Sequence, residues 1–170
     1  MASTSRENTS RSFFQLGRPV TRTGIGSPKA LGFPAVDAQL DALLDAARRA
    51  RAQAYAPYSR YQVGAAILAE DGRIFQGANM ENSAYPTCLC AEHNALGTAV
   101  SSGARRFRAV AVVTELDAHG RPGSPCGQCR QALSEFGLDW VVLLAGPSGP
   151  PVRTTLRELL PHAFSGEQLG

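Results

Sequence analysis

Pro125-Cys126-Gly127-Gln128-Cys129 decides how this chain is read, together with Cys90-Ala91-Glu92-His93, which is separated from Pro125 by 31 residues. Cysteines three apart on the first turn of a helix present both sulfurs to one point. Cys90, carried in from a second helix, completes a three-sulfur face. Such a face holds Zn²⁺ tetrahedrally and leaves its fourth position to water, whose pKa zinc lowers to about 7. Glu92 lies two residues past Cys90, where a carboxylate can take a proton from that water and return it to a substrate nitrogen. Cys-x-x-Cys alone is a weak signal; the two segments combined, each at the start of an expected helix after an extended stretch, are a strong one.

Working outward, apolar spacing supplies the frame. Val36, Leu40, Leu43, Leu44 and Ala47 form one helical face, with Asp37 and Asp41 early and Arg48, Arg49 and Arg51 late, as the helix dipole favours. Pro57 closes that helix. Val63–Leu68 and Ile74–Gly77 read as strands joined by a hairpin at Asp71-Gly72. A small-residue helix runs from about Cys88 to Ser102, stopped by Gly103. Ala109–Val113 is a buried strand, Gly127–Phe136 a short helix, Trp140–Leu144 a further strand, and Thr155–Leu160 a last helix before Pro161. The expected order is α-β-β-α-β-α-β-α. Crossover helices between the later strands imply an α/β fold, one mixed sheet with helices on its faces.

Composition bounds the function. Of 170 residues, 44% are hydrophobic and 18% charged, enough for a packed core, and no stretch is apolar enough to span a membrane. The net charge of +3 is uneven: residues 1–36 carry five basic residues and one acid, which leaves the other 134 at −1. A body of that charge is not built to bind nucleic acid. Residues 1–35, rich in Ser, Thr, Arg and Gly, read as a flexible N-terminal extension, and residues 36–170 as the catalytic domain. Plentiful Arg and Ser with scarce acids also fit an organelle-targeting segment. The four cysteines are clustered and follow no secretory apolar stretch, so metal binding or catalysis is expected rather than disulfides.

The C-x-E … P-C-x-x-C arrangement is that of zinc-dependent deaminases. Over roughly Ala54 to Leu169 the chain resembles the short, homotetrameric cytidine deaminases. The resemblance rests on Tyr58-Ser59-Arg60-Tyr61-Gln62-Val63-Gly64-Ala65-Ala66, Gly77-Ala78-Asn79-Met80-Glu81-Asn82, Tyr85-Pro86, the two metal segments, and Glu158-Leu159-Leu160-Pro161-His162-Ala163-Phe164. It implies a three-layer α-β-α sandwich and hydrolysis of cytidine and 2′-deoxycytidine to uridine and 2′-deoxyuridine with release of ammonia. Cys90, Cys126 and Cys129 would hold one zinc per subunit, and Glu92 would shuttle the proton. Asn79 and Glu81 would grip the ribose 3′-hydroxyl; Tyr61, Tyr85 and Ala91 would line the nucleoside; Phe164 would come from a neighbouring subunit. Cytoplasmic work in pyrimidine salvage belongs to the same implication.

Two positions depart from the family. His93 stands where most three-cysteine members carry Arg, and either His93 or Arg130 is expected to offset the charge of three thiolates on one zinc; His93 is also close enough in sequence to compete as a ligand. Cys88 reads as a small buried hydrophobe rather than a fourth ligand. Two alternatives stay open: a deaminase of a modified cytosine nucleoside of the blasticidin type, and a non-catalytic zinc module. Asn79 and Glu81 argue against the first, and Glu92 against the second.

Overall fold

The computed structural model describes residues 34–169, so the extension expected over residues 1–35 lies almost wholly outside the described residues. Helix α1 spans Pro34–Arg51, and the hairpin strands are β1, Gly64–Ala69, and β2, Ile74–Ala78. A 3-10 turn at Tyr85–Thr87 leads to α2, Ala91–Ser101; β3, Phe107–Val113, and α3, Gly127–Ser134, follow. The chain ends with β4, Val141–Ala145, β5, Val152–Thr155, α4, Leu156–Leu159, and a 3-10 turn at Gly166–Leu169.

The five strands form one sheet in the order β2-β1-β3-β4-β5. Only β3 and β4 run parallel; the other neighbours are antiparallel. A parallel pair needs a crossover, and α3 supplies it. The Asp71-Gly72 turn behaves as expected: Gly72 takes a left-handed φ of +89°, and the Asp71 carboxylate accepts from the backbone N–H of Arg73 at 3.1 Å. Strand β5 was not expected. It is four residues long, follows Pro150-Pro151, sits at the sheet edge and exposes Val152 and Arg153, so no apolar alternation marks it.

Period-two alternation divides the sheet between two cores. Ala66, Leu68, Ala109, Ala111, Val113, Leu143 and Ala145 meet Leu40, Leu43, Leu44 and Ala47 of α1. The intervening Ala65, Ile67, Val110, Val112, Val142 and Leu144 meet Ala91, Ala95 and Ala99 of α2 and Leu133 of α3. The result is the three-layer α-β-α sandwich. Alanines and glycines at the layer contacts let backbone approach backbone: a Cβ on Gly64 would strike Ala47 O and the backbone of Arg51. No helix among the described residues is long and apolar enough to cross a membrane.

Candidate active site

Both metal segments lie at helix N-termini, as the sequence requires. Helix α2 begins one residue after Cys90, and α3 one residue after Cys126. Both cap residues are extended, with ψ of 152° and 168°, and neither helix start is capped by a side chain. The unsatisfied N–H groups and positive dipole ends of both helices therefore point into the space the cysteines share. The expected start of α2 at Cys88 moves to Ala91, because Leu89 is held in a β-bridge with Met80.

The sulfur of Cys90, a ring nitrogen of His93 and the sulfur of Cys129 lie within 4.8 Å of one another. Cys126 stands outside that tight group but lines the same cavity as Cys90. A hydrogen bond from Cys129 is the main reason the Cys90 thiol is pulled down to about 7, while its own bond to Cys90, then burial, push Cys129 up. Thiolates are the form a divalent cation binds, so a metal held here would displace the thiol protons. Three thiols with a buried carboxylate beside them suit Zn²⁺, which prefers sulfur and nitrogen in tetrahedral array. His93 Nδ1 lies 3.3 Å from Cys129 Sγ, within hydrogen-bond reach.

Glu92 is the one carboxylate buried here, only 5% exposed, and burial raises its pKa above the ordinary value. It lines a cavity of about 290 Å³ together with Cys90, Ala91 and Cys126. Tyr61, Asn79 and Glu81 also line it, so seven of the expected site residues meet in one pocket. Its volume is at the lower end for small-molecule sites.

Asn79 and Glu81, the residues expected to read the sugar, are held by the loop before β1. Asn79 accepts from Val63 N at 2.8 Å through Oδ1 and donates to Tyr61 O at 2.9 Å through Nδ2. One Nδ2 hydrogen remains for a ligand. Glu81 accepts from the backbone N–H groups of Tyr58 and Ser59, at 2.9 and 3.1 Å, and from the Ser59 hydroxyl. These bonds, that of the hydroxyl above all, hold its carboxyl below the usual range. Arg60, the residue just after these anchors, adopts a left-handed φ of +61°, a costly conformation for a non-glycine residue that the Glu81 bonds help to maintain.

Other expected residues fall elsewhere. Tyr85 is 70% exposed and lines a neighbouring depression with Tyr58, its ring 6.0 Å from that of Tyr58 in an edge-on contact. Phe164 is 55% exposed and does not line its own chain's pocket. Arg130, expected beside the thiolates, instead directs its three hydrogen bonds to oxygens: Nε to Pro125 O, Nη1 to Leu159 O and Nη2 to Ser124 Oγ. Cys88 is not a core residue. It is exposed, lines the pocket, and its sulfur accepts from Asn82 N at 3.3 Å. The bridge that fixes Leu89 to Met80 holds Cys88 at the cavity mouth.

Sequence reasoning passed over Thr114 and Ser124, which also line the pocket. Thr114 is 3% exposed; its hydroxyl donates to Glu115 O and accepts from Gly123 N, turning the loop after β3 back over the cavity. Its place just past the carboxyl end of a parallel strand was the available signal.

Comparison with known proteins agrees with this geometry. Residues 37–145 match the model of the cytidine and deoxycytidylate deaminase zinc-binding region. A cytidine deaminase of Sporosarcina psychrophila is 48% identical over 131 residues, covering 76% of this chain and 94% of the relative. The crystal structure of a cytidine deaminase from Burkholderia pseudomallei superposes with a TM-score of 0.67 at 44% identity, covering 73% of this chain and 98% of the other. A blasticidin-S deaminase of Bacillus cereus is more distant, 36% identical over 112 residues, covering 63% of this chain and 79% of the relative.

Proposed function

Because the chain belongs to the cytidine and deoxycytidylate deaminase family, we propose that its pocket hydrolyses cytidine and 2′-deoxycytidine to uridine and 2′-deoxyuridine, releasing ammonia. The observation that carries this is Glu92: a buried carboxylate of raised pKa in a pocket wall whose next residues are metal-binding thiols. A structural zinc module has no use for such a group. One Zn²⁺ per subunit is the cofactor, held by Cys90, Cys126 and Cys129, with His93 Nδ1 3.3 Å from the Cys129 sulfur. When bound, zinc supplies a polarised water at neutral pH.

The chain's own groups do the rest. Glu92 takes a proton from the attacking water and passes it to ring nitrogen N3 as oxygen bonds to C4. It then carries the second proton to the 4-amino nitrogen, which leaves as ammonia as the C4–N bond breaks. Its raised pKa suits a group that must give protons as well as take them. Asn79 and Glu81 orient the nucleoside through its 3′-hydroxyl, using the spare amide hydrogen and a carboxylate lone pair. A site built around that hydroxyl discriminates against substrates lacking it, because its polar groups would be left unpaired. This favours a plain nucleoside over a blasticidin-type substrate.

The active form is a homotetramer with shared sites. Phe164 and Tyr85 are large, exposed and outside their own pocket, as they must be if Phe164 closes a neighbour's. Exposed Tyr55, Tyr58 and Met80 beside the pocket offer apolar surface for the same contact. The enzyme works in pyrimidine salvage in the cytoplasm, where a reducing medium keeps zinc-binding thiols reduced. The test follows cytidine absorbance with zinc-loaded protein, and blasticidin S in a parallel cuvette. Cytidine is expected to be consumed, and Glu92→Gln to keep fold and zinc while losing at least about 10²–10⁴-fold in kcat. Zinc-replete, folded protein inert on cytidine would overturn the reading.

A further inference from the structure

Helix α3 is only eight residues long and its first turn is open to solvent, yet it carries two of the three thiols. Buried Leu133 packs its far end into the core, and a single guanidinium ties down its start. Arg130, directly after Cys129, donates to Pro125 O at 2.7 Å, to Ser124 Oγ at 2.8 Å and to Leu159 O at 2.8 Å. The first two acceptors belong to the residues just before Cys126; the third ends α4, 29 residues further on. Leu159 O is one of the carbonyls a helix end leaves without a partner.

The anchor at that end is firm. Leu156 is fully buried, and Thr155 and Glu158 form a reciprocal capping box across the start of α4. The next residue of α3, Gln131, donates to Phe164 O at 2.8 Å, so the C-terminal segment is tied to this helix twice. We propose that Arg130 is a positioning residue, locking the Ser124-Pro125-Cys126 arm of the zinc site to the C-terminal segment and so setting where the Cys126 sulfur stands. The inference rests on the zinc-site reading above and adds a residue that touches neither metal nor substrate. Three acceptors at the directions of one planar fork are a task for Arg; a Lys ammonium reaches one of them at a time.

The test uses the full-length, zinc-loaded protein and its Co²⁺-substituted form. Arg130→Lys and Arg130→Gln are compared with wild type and with Arg157→Ala, which breaks the Asp139 pair on another side of α4 and leaves the Arg130 bonds in place. Zinc release to a chromogenic chelator and the cobalt–thiolate absorption bands are read for each folded variant. Both Arg130 variants are expected to release zinc roughly 10-fold faster or more, as supporting partners of metal ligands generally do, and to shift the cobalt bands. Arg157→Ala is expected to do neither. Wild-type release and unshifted bands in both Arg130 variants would overturn the proposal alone. A wild-type chain that takes up no zinc would overturn the parent reading and this one with it. Neither readout requires turnover of cytidine, so inertness towards that substrate leaves this test intact.

Discussion

The two arms of the metal site reach the same point by opposite means. The Cys90 arm is fixed by backbone packing: α2 lies so close to β2 that a Cβ on Gly77 would strike Ala95 N and Ala91 O and come within 2.8 Å of the Asn94 carbonyl carbon. Asn94 then donates to Ala78 O at 2.7 Å, pinning the helix along the strand. The Cys126 arm has nothing of the kind. A Cβ on Gly127 would meet nothing within 4 Å beyond its own helix, so although Pro125, Cys129 and Leu133 are buried, the exposed first turn relies on polar tethers from Arg130. Glu92, the proposed base, sits on the packed arm, where burial raises its pKa; the tethered arm brings only sulfur. A general base must be held in a dry, rigid wall, whereas the chelate itself helps hold a metal ligand in place.

Glycine replacement gives the widest contrast. Gly77→Ala should cost about 2–3 kcal/mol by overpacking and lower turnover per folded molecule, because α2 and Glu92 must shift. Gly64→Ala meets equally close backbone on the α1 side and serves as its control. It should lose comparable stability in a denaturant titration yet keep kcat. Equal kcat losses in both would show that the packed arm matters to stability alone.

A smaller effect concerns protons. In the metal-free protein the Cys90 thiol titrates at about 7 while Cys129 is raised. Below that pH a metal must displace the Cys90 proton; above it the thiolate is already present. Zinc affinity should therefore rise with pH, with a slope one proton steeper below pH 7 than above it. Chelator competition across pH 6–8 reads this, and a constant slope would remove Cys90 as the arm that titrates near neutrality. The smallest effect is Gly127→Ala, expected within about 0.5 kcal/mol of wild type with zinc and turnover retained. A loss as large as that of Gly77→Ala would erase the contrast between the arms.

Much of this was legible in the sequence where local rules govern. The apolar face of α1 and the Asp71-Gly72 turn each follow from spacing within one segment. The metal segments were legible because sulfur at that spacing has few other uses in a chain of this kind. What escaped depends on partners distant in sequence. Strand β5 exists because β4 offers an edge for it to pair with, not because Val152-Arg153-Thr154-Thr155 has a strand pattern. The fork of Arg130 finds Leu159 O only once α4 has docked, and Cys88 is exposed only because Leu89 is claimed by Met80. Neither consequence can be read from the residue itself.

Glu81 also sets a limit on redesign. The carboxylate proposed to read the sugar is the same one that closes the Tyr58–Tyr61 loop and maintains the left-handed backbone at Arg60. Removing it to admit an altered sugar releases the loop that places Tyr61 in the pocket. Sugar preference in this molecule is therefore not a separable module. A variant with new sugar specificity has to supply a second loop anchor before it can discard the first.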